Sequence, residues 1–104
     1  MIKHIVLWKL HEHAEGNTKD KNMDYVMEEL WEIQKEFPLL RSLSIHKSIP
    51  QEGAHFWDFC LEMVFDNFDD LQKYQVYPRH KKLHEFAVKV RSDRAVVDYE
   101  IDSI

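Results

Sequence analysis

The chain has 104 residues, of which 44% are hydrophobic and 32% charged, which suits one soluble domain with a modest core. Its 14 basic and 19 acidic residues leave a formal net charge of −5, which argues against nucleic acid, whose phosphates call for a basic face. No apolar run approaches the roughly 20 residues of a membrane span, and "MIKHIVLWKL" is too short and too alternating for a signal peptide, so a cytoplasmic protein without a membrane partner is expected.

Ile2 to Leu10 alternates as a strand does, with Ile2, His4, Val6, Trp8 and Leu10 on one face and Lys3, Ile5, Leu7 and Lys9 on the other. A polar loop, "HEHAEGNTKDKN", follows. Met23, Val26, Met27, Leu30, Ile33, Gln34 and Phe37 then recur at three- and four-residue steps and predict an amphipathic helix. "RSLSIHKSI" alternates again, and Pro50 to His55 reads as a turn. A third strand, Trp57 to Phe65, puts Trp57, Phe59, Leu61, Met63 and Phe65 on one face. Its other face carries Cys60, the single cysteine, which cannot form an internal disulfide and reads as a small buried thiol. Asn67 can cap a second helix, with Asp69 and Asp70 suited to its positive end. Tyr77-Pro78 breaks that helix, because the residue before a proline is pushed out of the α region and Pro78 suits the first position of a new segment. Leu83, Phe86, Ala87 and Val90 keep helical spacing after the break, and "RAVVDYEI" closes the chain as a strand.

The order β-α-β-β-α-β is the ferredoxin-like α+β pattern over a single domain, residues 1–104, with both helices on one face of a four-stranded antiparallel sheet. The other face carries Ile5, Leu7, Cys60, Val64 and one row of the last strand. A monomer would prefer that face polar, so a homodimer packed sheet to sheet is expected. Which row of the last strand faces outward is not legible in the sequence.

"IKHIVLWKL", "FDNFDDLQKYQVYPRH" and "VVDYEI" resemble the stress-responsive dimeric α/β-barrel family over Met1 to about Ile101. The resemblance implies a dimer whose two sheets together make a barrel, with a cavity between sheet and helices in each protomer. It also implies candidate catalytic residues. In a plant polyketide cyclase of this family, which closes a linear polyketide by aldol condensation, a tyrosine and a histidine around the helix break carry the chemistry. They match Tyr74 and His80, and a first-strand histidine matches His4. The family often has His-Pro-x-His at the break, where this chain has Tyr77-Pro78-Arg79-His80. The cyclase has a further histidine where this chain has Phe59.

In an unbroken helix Tyr74 and His80 would stand about 120° apart around the axis. The break can bring them to one point. Histidine titrates near neutrality and tyrosine is a good hydrogen-bond partner, so the pair suits proton transfer next to a carbonyl. The alternative is that His80 packs at the helix start, Tyr74 is a core residue and His4 bonds to backbone. Val6, Trp8, Met27, Phe59, Leu61, Tyr77 and Phe86 either line a ligand pocket or form core. Tyr99 and Asp98 are assigned to sheet pairing or the dimer, and "RHKK" to a solvated helix start. His80 and His84 share a helical face, and His11 and His13 form His-x-His, but neither pair has a third ligand. No metal or cofactor is expected.

Two functions follow. One is a homodimeric module that binds a small apolar or carbonyl-containing molecule without proven activity. The other is a small-molecule enzyme of the polyketide-cyclase type, with His80 as base, Tyr74 as oxygen partner and His4 in support.

Overall fold

The computed structural model describes residues 1–50 and 56–104. Four strands, β1 (Ile2–Leu10), β4 (Ser42–Lys47), β5 (Phe59–Phe65) and β6 (Arg91–Glu100), form one sheet in the order β4-β5-β1-β6, every neighbouring pair antiparallel. Helices α1 (Lys19–Glu36), α2 (Phe68–Gln75) and α3 (Pro78–Val90) accompany it, with a hairpin of β2 (His13–Ala14) and β3 (Asn17–Thr18) between β1 and α1. This is the ferredoxin-like α+β fold. No helix among the described residues is long and apolar enough to cross a membrane.

The core joins the inner rows of the strands to the apolar stripes of the helices. Val6, Trp8 and Leu10 of β1 and Phe59, Leu61, Met63 and Phe65 of β5 pack with Met23, Val26, Leu30 and Ile33 of α1 and Leu83, Ala87 and Val90 of α3. Burying each such large side chain contributes about 1.5–3 kcal/mol, which is why period-2 strands and 3.6-period helices close on one another here.

Several boundaries differ from the sequence reading. The segment read as a polar loop contains the β2–β3 hairpin. Glu15 and Gly16 both hold positive φ, 51° and 77°, as a two-residue type I′ connection requires. With Glu at its first position and strands only two residues long, the hairpin has little sequence signal. Helix α1 begins at Lys19 rather than near Met23, because the Thr18 side chain caps it by accepting from Lys21 N. Its first turn is polar and carries no apolar period. Strand β4 is shorter than expected, since its partner β5 begins only at Phe59. Strand β6 starts at Arg91, directly after α3, earlier than the apolar residues alone suggest. The turn expected over Pro50 to His55 falls, for residues 51–55, outside the described residues. The Asn67 cap, accepting from Asp70 N at 2.9 Å, and the place of Pro78 at the start of α3 are as the sequence indicates.

Asp58 ties these layers together. Its Oδ2 accepts from Leu10 N at 2.7 Å, its Oδ1 from Lys19 Nζ at 3.2 Å, and its own N–H donates to Trp8 O at 2.8 Å. The carboxylate thus joins the end of β1 to the start of α1. Asp58→Ala leaves the Leu10 N–H without its acceptor and is expected to cost about 1–3 kcal/mol. In urea unfolding this would appear as a lower midpoint with an unchanged slope; an unchanged midpoint would remove the clip from the account.

Candidate functional site

Tyr74 lies in the last turn of α2. Tyr77 follows with an extended backbone, φ −60° and ψ 130°, and α3 starts at Pro78. The chain changes direction there, so Tyr74 and His80 meet, their ring centroids 4.3 Å apart and their planes 45° to one another. Tyr74 is buried against Phe65, at 5.4 Å between ring centroids. Burial raises its hydroxyl pKa well beyond the ordinary phenol range, an effect that the Arg94 charge only partly offsets. The phenol therefore stays neutral and able to donate.

His80 Nδ1 lies 3.1 Å from Gln75 O. A carbonyl oxygen can only accept, so Nδ1 carries the proton and the lone pair of the neutral ring sits on Nε2. Burial lowers the pKa of His80, and the neighbouring His84, His4 and Arg94 act in the same direction; the Gln75 carbonyl opposes them. His80 is thus held as a neutral imidazole, the form in which it can take up a proton.

His4 comes from the central strand. The antiparallel register of β1 and β6 sets His4 opposite Asp98, and His4 Nδ1 donates to Asp98 Oδ1 at 2.5 Å. This orients the buried imidazole and leaves Nε2 for a further partner, the arrangement by which a carboxylate fixes a histidine tautomer in acid–base sites. Asp98 therefore does more than pair strands. Its role depends on a register between strands 94 residues apart, which the sequence pattern does not disclose.

These side chains edge one cavity of about 60 Å3 between the sheet and the helices. Its walls include Val6, Trp8 and Leu61, together with Leu30, Met63 and Leu83, while His84, Arg91 and Arg94 add basic groups. Buried Trp8 Nε1 has no hydrogen-bond partner among the described residues. The other residues expected at a pocket lie elsewhere. Phe59 is core and packs edge-on to Trp8, Met27 is half-buried outside the lining, and Phe86 packs on Tyr25. Tyr77 faces a second, larger space of about 490 Å3 beside α1 and α3. There its hydroxyl donates to Glu36 Oε2 at 2.7 Å, while Arg79 Nε and Nη1 donate to Glu29 at 2.6 Å and Glu36 at 2.5 Å. Arg79 is therefore a bridge from α3 to α1 rather than part of a solvated run, and its partners are spent on one another. Among the described residues no three His, Cys, Asp or Glu side chains gather as a metal site.

A four-stranded antiparallel sheet in the order β4-β5-β1-β6 with its accompanying helices places the chain in the class of ferredoxin-like domains. The family model of the Stress responsive A/B Barrel Domain (Dabb) matches residues 2–101, and the chain belongs to that family. A comparison with curated proteins finds no match. Among solved structures, a dimeric protein of unknown function from Bacteroides fragilis is 26% identical, with a TM-score of 0.72 over 96% of this chain and 95% of that one. A dimeric ferredoxin-like protein of unknown function from Thermobifida fusca is 22% identical, with a TM-score of 0.77 over 96% and 90%. A hydroxynitrile lyase from Passiflora edulis is 14% identical, with a TM-score of 0.77 over 99% and 94%.

The state of His80 gives a pH dependence. Its folded pKa lies below the unfolded value near 6.5, so the unfolded chain binds more protons as the medium turns acid. The His80 contribution to stability is complete above about pH 6.5 and is lost as pH falls from there through the folded pKa. His80→Gln should accordingly show a shallower loss of stability on acidification than the unaltered protein. An NMR titration placing His80 at or above 6.5 would contradict this.

Proposed function

We propose that this protein is a homodimeric domain that binds a small molecule in the cavity edged by His4, Tyr74 and His80. The observation that carries the reading is the convergence of those side chains, from three elements, on one space otherwise walled by aliphatic groups and Trp8. A closed aliphatic core would be the more stable use of those positions, since buried polar groups cost free energy unless satisfied. Apolar walls with a few oriented polar groups are how small-molecule sites combine affinity with specificity.

Dimerisation is supported by the outer face of the sheet. Ile5 and Leu7 of β1 stand beside Val97 and Ala95 of β6, with Tyr99 further along the same row. Val97 and Tyr99 are exposed on the protomer. An apolar row at this position favours sheet-to-sheet packing against a second copy, and relatives of the same fold are described as dimeric. In sedimentation at micromolar concentration the protein should run as a dimer and Val97→Asp as a folded monomer; a monomeric unaltered protein would refute this arrangement.

A second reading, proton transfer at the carbon next to a carbonyl, is favoured by the neutral His80 and by His4, oriented by Asp98, at the same cavity. A lyase acting on hydroxynitriles shares the fold. In this reading His80 Nε2 takes the proton as the C–H bond breaks. The electron pair moves onto the carbonyl oxygen, which accepts a hydrogen bond from the Tyr74 hydroxyl. His4, oriented by Asp98, is a second proton acceptor. A thermal-shift screen of small carbonyl compounds tests binding, because a ligand raises the melting temperature by mass action. Incubating the hits in D2O then tests chemistry by NMR. Binding without exchange would leave the binding module and remove the enzyme. If exchange occurs, His80→Gln should slow it by roughly 10²–10⁴-fold with a nearly unchanged melting temperature.

A further inference from the structure

Four arginines occur in the chain, and they divide into two kinds. Arg41 faces Asp66 at 3.9 Å, and Arg79 bridges Glu29 and Glu36. Arg91 and Arg94 form no ion pair among the described residues, although the chain holds 19 acidic residues. Of the carboxylates near them in sequence, Asp98 bonds to His4, and Asp93 accepts from the backbone N–H of Arg94 at 2.9 Å. Both arginines line the cavity of His4, Tyr74 and His80. Arg94 stands opposite Trp8 in the β1–β6 register, and the Arg91 guanidinium lies 5.5 Å from the Trp8 ring centre. Burial, and after it the nearby Arg94 charge, disfavour the charged form of Arg91. Two neighbouring cations without a counter-charge among the described residues, beside a cavity, favour an anion from outside the chain.

The geometry points to a ligand that is a small carboxylate, its anionic end held by Arg91 and Arg94 and its inner end offering a hydrogen-bond acceptor to the Trp8 indole N–H. The inference rests on the reading of this cavity as a ligand site. A carboxylate suits the fork of a guanidinium, which can engage both oxygens at once. A cavity of about 60 Å3 admits an inner end of only a few heavy atoms. The aliphatic walls at Val6, Leu30 and Leu61 suit a short carbon chain between the two polar ends, and Trp8 Nε1, without a partner among the described residues, calls for an acceptor such as a ketone oxygen.

The test compares 4-oxopentanoate with its uncharged methyl ester, by calorimetry and by the indole N–H signals of ¹⁵N-labelled protein, with Trp8→Phe assigning the Trp8 signal. The acid is expected to shift the Trp8 signal and to bind about tenfold or more tightly than the ester, a gap worth about 1.4 kcal/mol per factor of ten. Arg91→Gln or Arg94→Gln should bring the acid toward the ester while leaving ester binding unchanged. Acid and ester binding equally, both shifting Trp8, would overturn the carboxylate assignment and leave the cavity a ligand site. Inorganic phosphate matching the acid without any shift at Trp8 would make the arginine pair a general anion patch and also overturn it. If neither probe reaches Trp8 at tens of millimolar, the ligand-site reading fails and this inference with it.

Discussion

Pro78 has no N–H to continue the ladder of α2, and its ring forces Tyr77 into an extended conformation. The rest of the site follows from that constraint. A continuous helix would carry Tyr74 and His80 to different sides, whereas the broken one stacks their rings and fixes the His80 Nδ1 on the carbonyl of Gln75, a group near the end of α2. The new helix is then held to α1 by Arg79, whose two carboxylate partners lie seven residues apart in sequence, about two turns of α1. It runs without a connecting loop into β6. The direction set at the break therefore leads into the strand that supplies Asp98 and Arg94.

The sheet contributes the opposite wall through strict alternation. Because β1 lies between β5 and β6, its inner residues His4, Val6 and Trp8 face the helices while Ile5 and Leu7 face outward. A slip of one residue in the β1–β6 register would exchange the two rows of β6. Arg94 would then leave the cavity and Asp98 would leave His4, and Ala95, Val97 and Tyr99 would leave the outer face. One register thus serves both the cavity and the surface proposed for the dimer.

The polar groups of this cavity are managed differently from those of the neighbouring groove. Beside α1 and α3, Tyr77, Arg79, Glu29 and Glu36 satisfy one another. In the cavity, Nδ1 of His80 and Nδ1 of His4 are committed, to Gln75 and Asp98, while their second ring nitrogens are left over. Trp8 Nε1 is buried without a partner among the described residues. A satisfied network stiffens a fold; an incompletely satisfied one leaves hydrogen-bonding capacity for something that arrives from outside.

The amino-acid sequence by itself determined the order of the helices and of the four strands of the main sheet, the ferredoxin-like layering, the Asn67 cap and the helix break. Each of these rests on local periodicity or on the stereochemistry of one or two residues, and "YQVYPRH" carried enough of it to mark Tyr74 and His80. The tertiary structure alone decided the β6 register, and with it the His4–Asp98 bond, the inward place of Arg94 and the outward place of Val97. Alternation along a strand defines two rows without saying which one turns inward; that choice is made by a partner strand distant in the chain. The same holds for Tyr77 and Phe86, apolar by composition yet drawn to the groove and to Tyr25. Which wall a side chain joins is settled by the packing of helices on one another, not by its own spacing.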